Sequence, residues 1–294
     1  GSNSTKLDAN GYPVKTAYFD LMITEMSDNV TVHDVSIRHG GVGLLCKTDV
    51  LAANSKTWYP NTYIENFEFY NLDIYNTYNE AMYIGHTATY WNIKTNQAYY
   101  GATTDFATYK QPIKLRNVKV HHNYLHDIWN DAIQIAAAEN VEVHNNEVYN
   151  WAIKKDYSHN GGILLGGRVS GFDVHDNYVH DGWGEFLQIY ADSGKAIVRN
   201  NLMVKNKLNG VGLRGGKGLI VEFLNNTIAY TGEYAFRING SSGGTGKNLI
   251  KKNLIVQPGT GRYYYPENGG SYIEDDNKLF ALASQVGWLE TNYY

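Results

Sequence analysis

Two stretches, "HNYLHDIWNDAIQI" from His122 to Ile135 and "DNYVHDGWGEFLQI" from Asp176 to Ile189, start 54 residues apart and share the pattern Asn-Tyr-x-His-Asp-x-Trp-x-x-x-x-Gln-Ile. An internal echo of this kind asks first for a period. Aligning on Val-x-x-Asn finds "VHHN" to Asn123, "VHNN" to Asn146, "VHDN" to Asn177, "VRNN" to Asn201, "FLNN" to Asn226 and "IKKN" to Asn253. The steps are 23, 31, 24, 25 and 27 residues. Degenerate copies end at Val35 and Leu72. The two stretches are therefore two repeats apart, with the Asn146 copy between them.

Each repeat holds three short segments of alternating apolar and polar residues. Around Asn123 these are "VKVH", "YLHD" and "AIQI". The period is 2 and not 3.6, so they are strands. Three strands per repeat with no helical pattern describe one coil. Stacked coils predict an all-β, single-stranded right-handed parallel β-helix, a solenoid of about eight coils, with equivalent residues ~4.8 Å apart. The recurring Asn is expected at the left-handed bend of each coil, which Asn tolerates. Its amide is expected to bond the next Asn in a ladder. Residues 1–16 read as a processing remnant and lead-in, 17–257 as the β-helix, and 258–294 as a tail capping the open last coil.

Composition removes other classes. The 294 residues are 43% hydrophobic and 18% charged, which is a folded composition. A net charge of −4 without a run of one sign argues against nucleic acid. One cysteine, Cys46, excludes an internal disulfide or a Cys-based zinc site. No apolar run approaches the ~18 residues of a membrane span. Aromatic residues are 14%, and Tyr and Trp at that level suit stacking on sugar rings.

With its Asn-marked repeats, the chain resembles the right-handed parallel β-helix superfamily of pectate lyases and polygalacturonases, from about Tyr18 to Gln257. That resemblance implies a carbohydrate-active, pectin lyase-like protein that is secreted, periplasmic or at the cell surface. A monomer is expected.

Columns down the stack carry the rest. On the third strand two columns are expected to fill the core: Leu44, Ile84, Ile135, Leu165, Ile189, Leu213, Ile238, and Val42, Met82, Ile133, Ile163, Leu187, Val211, Phe236. Between them Tyr83, Gln134, Leu164, Gln188, Gly212 and Arg237 are expected to face solvent. A small column, Gly41, Ala81, Ala132, Gly162, Phe186, Gly210 and Ala235, is expected to form a shallow outward floor. Just before it, Gly40, Glu80, Asp131, Gly161, Glu185, Asn209 and Tyr234 place three carboxylates on one edge. Burying them would be costly, so they are expected at the bend, exposed. Paired carboxyls ~5–5.5 Å apart suit retaining glycoside hydrolysis, and ~6.5–9.5 Å suit inversion.

A narrower resemblance, to polygalacturonases, rests on "NEAMYI" and "NDAIQI". It puts Glu80 at the family's single acid and Asp131 at the second of its acid pair. Asn130 replaces the first of that pair, Gly161 replaces the family's His, and His159 lies two residues away in "YSHNGG". The family's Arg-x-Lys is not evident. Two long insertions, "CKTDVLAANSKTWYPNTY" and "HTATYWNIKTNQAYYGATTDFATYKQ", and the entry loop "WAIKKDYSHN" mark the binding face. Their Trp58, Tyr59, Tyr90, Trp91, Tyr99, Tyr100, Trp151 and Tyr157 are candidate stacking platforms. The candidate catalytic set is Asp131, Glu80, Glu185 and His159, with Asp131 as general acid. The candidate substrate contacts are Tyr83, Gln134, Gln188, Arg237, Trp129, Trp183, Lys155 and Tyr157.

Three functions stand in this order: a glycoside hydrolase on a poly- or oligosaccharide, a polysaccharide lyase or epimerase, and a non-catalytic glycan-binding or adhesive solenoid. Hydrolysis needs no cofactor. The lyase reading could draw on Lys154, Lys155, Tyr157, His159 or Arg237, with Ca²⁺ on the acidic triad. The column of His33, His121, His144 and His175, with Tyr70, and that of His126 and His180, with Tyr75 and Tyr149, read as surface ladders and not as metal sites.

Overall fold

A computed structural model describes residues 17–216, 218–240 and 247–287. The expected lead-in, 1–16, and the end of the expected tail, 288–294, lie outside the described residues. Three parallel sheets of nine strands each run the length of the stack. One strand, Phe19–Ile23, precedes the first coil, and Ile273–Asp275 with Lys278–Phe280 begin a ninth, which leaves eight complete coils. The chain is the expected right-handed parallel β-helix.

The alternation of each repeat becomes the wall of a cylinder. On the third-strand sheet Met82 aligns with Ile133, Ile133 with Ile163, Ile163 with Leu187, Leu187 with Val211 and Val211 with Phe236. All of them are buried and belong to one continuous core. Coil one departs from the expected register by two residues. Leu44 pairs with Met82 and Cys46 with Ile84, because Val42–Cys46 is a buried five-residue strand that begins earlier.

The small column also departs from expectation. Ala81, Ala132, Phe186 and Ala235 face the core, not solvent. A side chain at Gly162 would meet Val179 Cγ1 at 2.7 Å, and one at Gly210 would meet Ile228 Cγ2 at 2.8 Å. The corner packs against the second strand of the following coil, so two consecutive residues point inward there and mostly small ones repeat, Phe186 being the exception.

The Asn ladder is present. The Nδ2 groups of Asn123, Asn146, Asn177, Asn201, Asn226 and Asn253 each donate to Oδ1 of the next ladder Asn, ending at Asn277, at 2.9 Å in every case. The left-handed residue, however, is the one before: His122, Asn145, Asp176, Asn200, Asn225, Lys252 and Asp276 have φ between 51° and 55°. The bend turns the following Asn inward, where its buried amide needs partners on both sides.

The tail begins later than residue 257. Tyr264–Glu267, Ile273–Asp275 and Lys278–Phe280 continue all three sheets. Only after Phe280 does a short 3₁₀ turn, Ala283–Gln285, close over Val204, Ala229 and Val256. The two insertions pair with each other in a four-stranded antiparallel sheet made by Trp58–Tyr59, Tyr90–Asn92, Gln97–Tyr99 and Tyr109–Pro112. Trp151, expected as a platform, is fully buried in the core. The histidine ladders are found: His33, Tyr70, His121, His144 and His175 stack ring on ring at 4.7–5.1 Å.

Candidate active site

Glu80 and Asp131 sit on neighbouring coils just before the third strand, on the outer side of the sheet. They are not exposed as expected: Glu80 is 7% accessible and Asp131 0%. The entry loop of coil four covers them. Trp151 anchors that loop by donating Nε1–H to Asn160 O at 3.0 Å. Asn160, itself buried, donates to Tyr157 O at 2.7 Å and accepts from Gln188 Nε2 at 2.7 Å. This fixes His159 over the acids. Its Nδ1 lies 3.4 Å from Asp131 Oδ2 and 3.6 Å from Glu80 Oε1.

Three titratable groups from three consecutive coils therefore meet, their facing atoms within 4.8 Å of one another. Burial pushes the Glu80 carboxyl above its ordinary value, and the charge of Asp131 adds to the rise. Asp131 is raised by burial too, opposed by His159 and by the Gly161 N–H, which donates to Oδ1 at 2.5 Å. Its Oδ2 has no well-aligned donor and faces the imidazole. Asp131 raises His159, against the pull of burial, and the charge of Glu80 adds to it. The His159 side chain is 46% exposed, so it is the member of the trio that meets solvent.

Glu185 is buried as well, but differently. Its Oε2 accepts from Arg214 Nη1 at 2.7 Å, and its Oε1 from Arg214 Nη2 at 2.8 Å and Asn209 Nδ2 at 2.9 Å. A bidentate pair with a third donor has no free acid or base to offer. The structure thus separates Glu185 from the other two carboxylates.

The polar row is mostly covered. Gln134 and Gln188 are each 3% accessible, packed beneath neighbouring side chains, and so do not form the open row expected of them. Tyr83 is half-buried, with its hydroxyl 2.7 Å from Thr87 Oγ1. Arg237 is held by Glu267 at 3.0 Å. Trp129 stacks on Tyr78 at 6.2 Å, and Trp183 meets the edge of Tyr157 at 5.0 Å. Tyr157 is 74% exposed and Lys155 is exposed beside it. The surface offered to a ligand is therefore His159, Tyr157, Lys155, Trp183 and Tyr190, with the 9% exposed side-chain edge of Glu80 beneath His159. Asn160, Arg214 and Tyr190 were missed in the sequence. Asn160 does repeat Asn79 and Asn130, one place before the carboxylate column, and that signal could have found it. Tyr190 follows the repeated Gln-Ile, but no recurring residue type marks Tyr190 or Arg214.

A divalent ion fits the trio only in part. Two carboxylates and one imidazole supply few of the 6–8 oxygens that Ca²⁺ takes. The Ca²⁺ that the lyase reading alone would draw on would find few of its ligands in this donor set.

The family model for the right-handed beta helix region matches residues 58–222 and 107–277. Among solved structures, the GH136 lacto-N-biosidase from Eubacterium ramulus shares the fold. Its selenomethionine derivative is 12% identical, with a TM-score of 0.58 over 93% of this chain and 46% of that one. Its native form is 12% identical, with a TM-score of 0.53 over 91% and 46%. An alginate lyase from Paenibacillus sp. str. FPU-7 is 11% identical, with a TM-score of 0.49 over 89% and 97%. This chain spans just under half the length of the lacto-N-biosidase. No curated protein is similar enough to match. At these identities the structural likeness speaks for the fold alone, while the repeat model covers most of the sequence: the chain belongs to the right-handed beta helix region family.

Proposed function

We propose that the chain is a carbohydrate-active enzyme that cleaves glycosidic bonds as a glycoside hydrolase. The observation that carries this reading is the meeting of Glu80, Asp131 and His159. A buried carboxyl faces a half-exposed imidazole and raises its pKa, and a second carboxyl lies 3.6 Å from the same nitrogen. At 3.6 Å the Glu80–His159 pair is closer than the ~5–5.5 Å spanned by the two catalytic groups of a retaining hydrolase, so the His159 loop has to open around a bound sugar.

Asp131, with no accessible surface, is a poor donor to a substrate, so the acid role expected of it passes to His159. His159 protonates the leaving oxygen, Asp131 orients and charges the ring, and Glu80 attacks the anomeric carbon. In the second step the deprotonated His159 takes a proton from water, whose oxygen attacks the anomeric carbon, breaks its bond to Glu80 and frees the carboxylate. The neighbour named a lacto-N-biosidase is in keeping with this class.

A second reading has one observation in its favour. Acid and base lie on the same side, and Lys154, Lys155 and Tyr157 stand exposed on the His159 loop. Those features suit elimination beside a uronate carboxylate. Product analysis on a panel of polysaccharides separates the two. New reducing ends without an unsaturated sugar mean hydrolysis. Ultraviolet absorbance from an unsaturated product means elimination. No cleavage of any polymer, together with binding, leaves the adhesive solenoid.

A further inference from the structure

The small sheet built by the two insertions holds a cleft of about 350 Å³, lined by Trp58, Tyr59, Tyr90, Phe106, Tyr109 and Lys110 among others. That volume lies within the usual ~300–1,000 Å³ of ligand sites. None of these rings is buried, and Phe106 is 59% exposed. Rings that serve only to pack an insertion lose their surface, as Trp151 does. Exposed aromatic faces gathered around a concavity point to a ligand with apolar faces of its own.

The charge on the lining itself is positive. The Lys110 ammonium lies over the Trp58 ring at 4.8 Å and donates to Phe106 O at 2.5 Å, which leaves two of its three donors. Behind the wall, Lys114 and Arg168 approach the Tyr59 ring at 5.1 and 5.4 Å. Lys114 is paired with Glu139 at 3.1 Å. Arg168 is 5% accessible, donates Nη2–H to Pro112 O at 2.7 Å, and has no partner for Nη1 among the described residues. Lys110 is the charged residue lining the cleft, and the buried Arg168 guanidinium, with Asp192 and Glu139 as its acidic neighbours, lies behind the wall. Nucleobases also stack on such rings, but the net charge of −4 disfavours a nucleic-acid backbone.

We propose that this cleft is a second sugar-binding site, taking a hexuronate ring stacked on its aromatic wall with the carboxylate on Lys110. The proposal rests on the polysaccharide reading but not on catalysis. Its test is calorimetric titration of the whole chain with galacturonate and mannuronate oligosaccharides, using cello-oligosaccharides as the neutral control. Phe106→Ala, at an exposed position, is expected to weaken binding of an acidic oligosaccharide at least ~10-fold. Lys110→Gln is expected to remove the preference for acidic over neutral chains. Circular dichroism confirms that both variants fold. Absence of binding to either acidic oligosaccharide overturns the proposal, as does binding that neither variant alters, or equal binding of the neutral chain. Glu80→Gln keeps the two readings apart. If the cleft variants weaken binding while neither wild type nor Glu80→Gln turns over any polymer, the catalytic reading falls and the cleft stands. Turnover with binding insensitive to both cleft variants does the reverse.

Discussion

Asp131→Asn is the most informative change at the trio. Asparagine keeps the shape and still accepts from the Gly161 N–H through its carbonyl, so the fold should tolerate it. What disappears is the charge 3.4 Å from His159 Nδ1. At an effective dielectric of ~20, a unit pair at that distance is worth about 5 kcal/mol. The imidazole is 46% exposed, so roughly half survives screening, about 2.5 kcal/mol. If that energy holds the ring in place and charged, kcat should fall by about 100-fold. Direction in pH gives a sharper check. His159 is raised in the folded protein, so its protonated form is present below the raised value and lost as pH rises through it. Glu80 must be ionised to attack, and it too is raised, so activity falls on the acid side through its value. Activity is then a bell between the two. Asp131→Asn should move the basic limb to lower pH, and Asp131 no longer raises Glu80, so the acid limb moves the same way. The assay is kcat/KM against pH on the polymer that wild type cleaves, with stability followed by denaturant. Wild-type turnover with unmoved limbs would refute the assignment and leave Asp131 a structural acid.

Other perturbations test the surroundings. Asn177→Ala removes the amide that donates to Asn201 Oδ1 and Val143 O and accepts from Asn146, and should cost about 1–3 kcal/mol in chemical denaturation. Glu185→Gln leaves the Arg214 guanidinium, 16% exposed, without its counter-charge. Stability should drop by about 3 kcal/mol while kcat under folded conditions holds, and a large kcat loss at unchanged stability would return Glu185 to the chemistry. His144 is lowered by burial and by the neighbouring His121 and His175, so its folding contribution is present above its ordinary value and lost as pH falls below it. His144→Tyr, which copies Tyr70 in the same column, should lessen the fall in Tm between neutral pH and about pH 5. Dialysis against EDTA should leave turnover unchanged, and loss of activity restored by a single added divalent ion would place a metal on the trio.

How far the sequence carried these conclusions differs from column to column. The Asn ladder, the histidine stacks and the apolar columns were legible because a solenoid repeats its contacts. A residue type returning every turn records the same neighbour above and below. The register of coil one was not legible, since "GGVGLLC" offers two apolar alignments two residues apart and only its pairing with Met82–Ile84 chooses between them. The inward turn of Ala81 and Ala132 was hidden for a related reason. Alternation holds along a strand and fails at a corner, where Val179 and Ile228 of the following coils crowd Gly162 and Gly210 and favour small side chains, while coil five fits Phe186.

Burial of the acids was the largest departure, and it shows what a column can and cannot specify. A column gives direction away from the core, and Glu80, Asp131 and Glu185 do point outward. Accessibility depends on what else lies outside, which is set by aperiodic segments. Asn160 ties down the coil-four loop over Asp131, and Arg214, two coils beyond Asn160, reaches Glu185. The two acids with the same periodic address thus receive opposite environments. Arg214 and Asn209 between them occupy both carboxyl oxygens of Glu185, so Glu185 stabilises the wall. Asp131 receives one backbone donor and an imidazole that is itself half in solvent, so its charge is expressed on a mobile proton at the surface. A repeat can place a carboxylate, but the partner that decides between support and chemistry comes from outside the repeat.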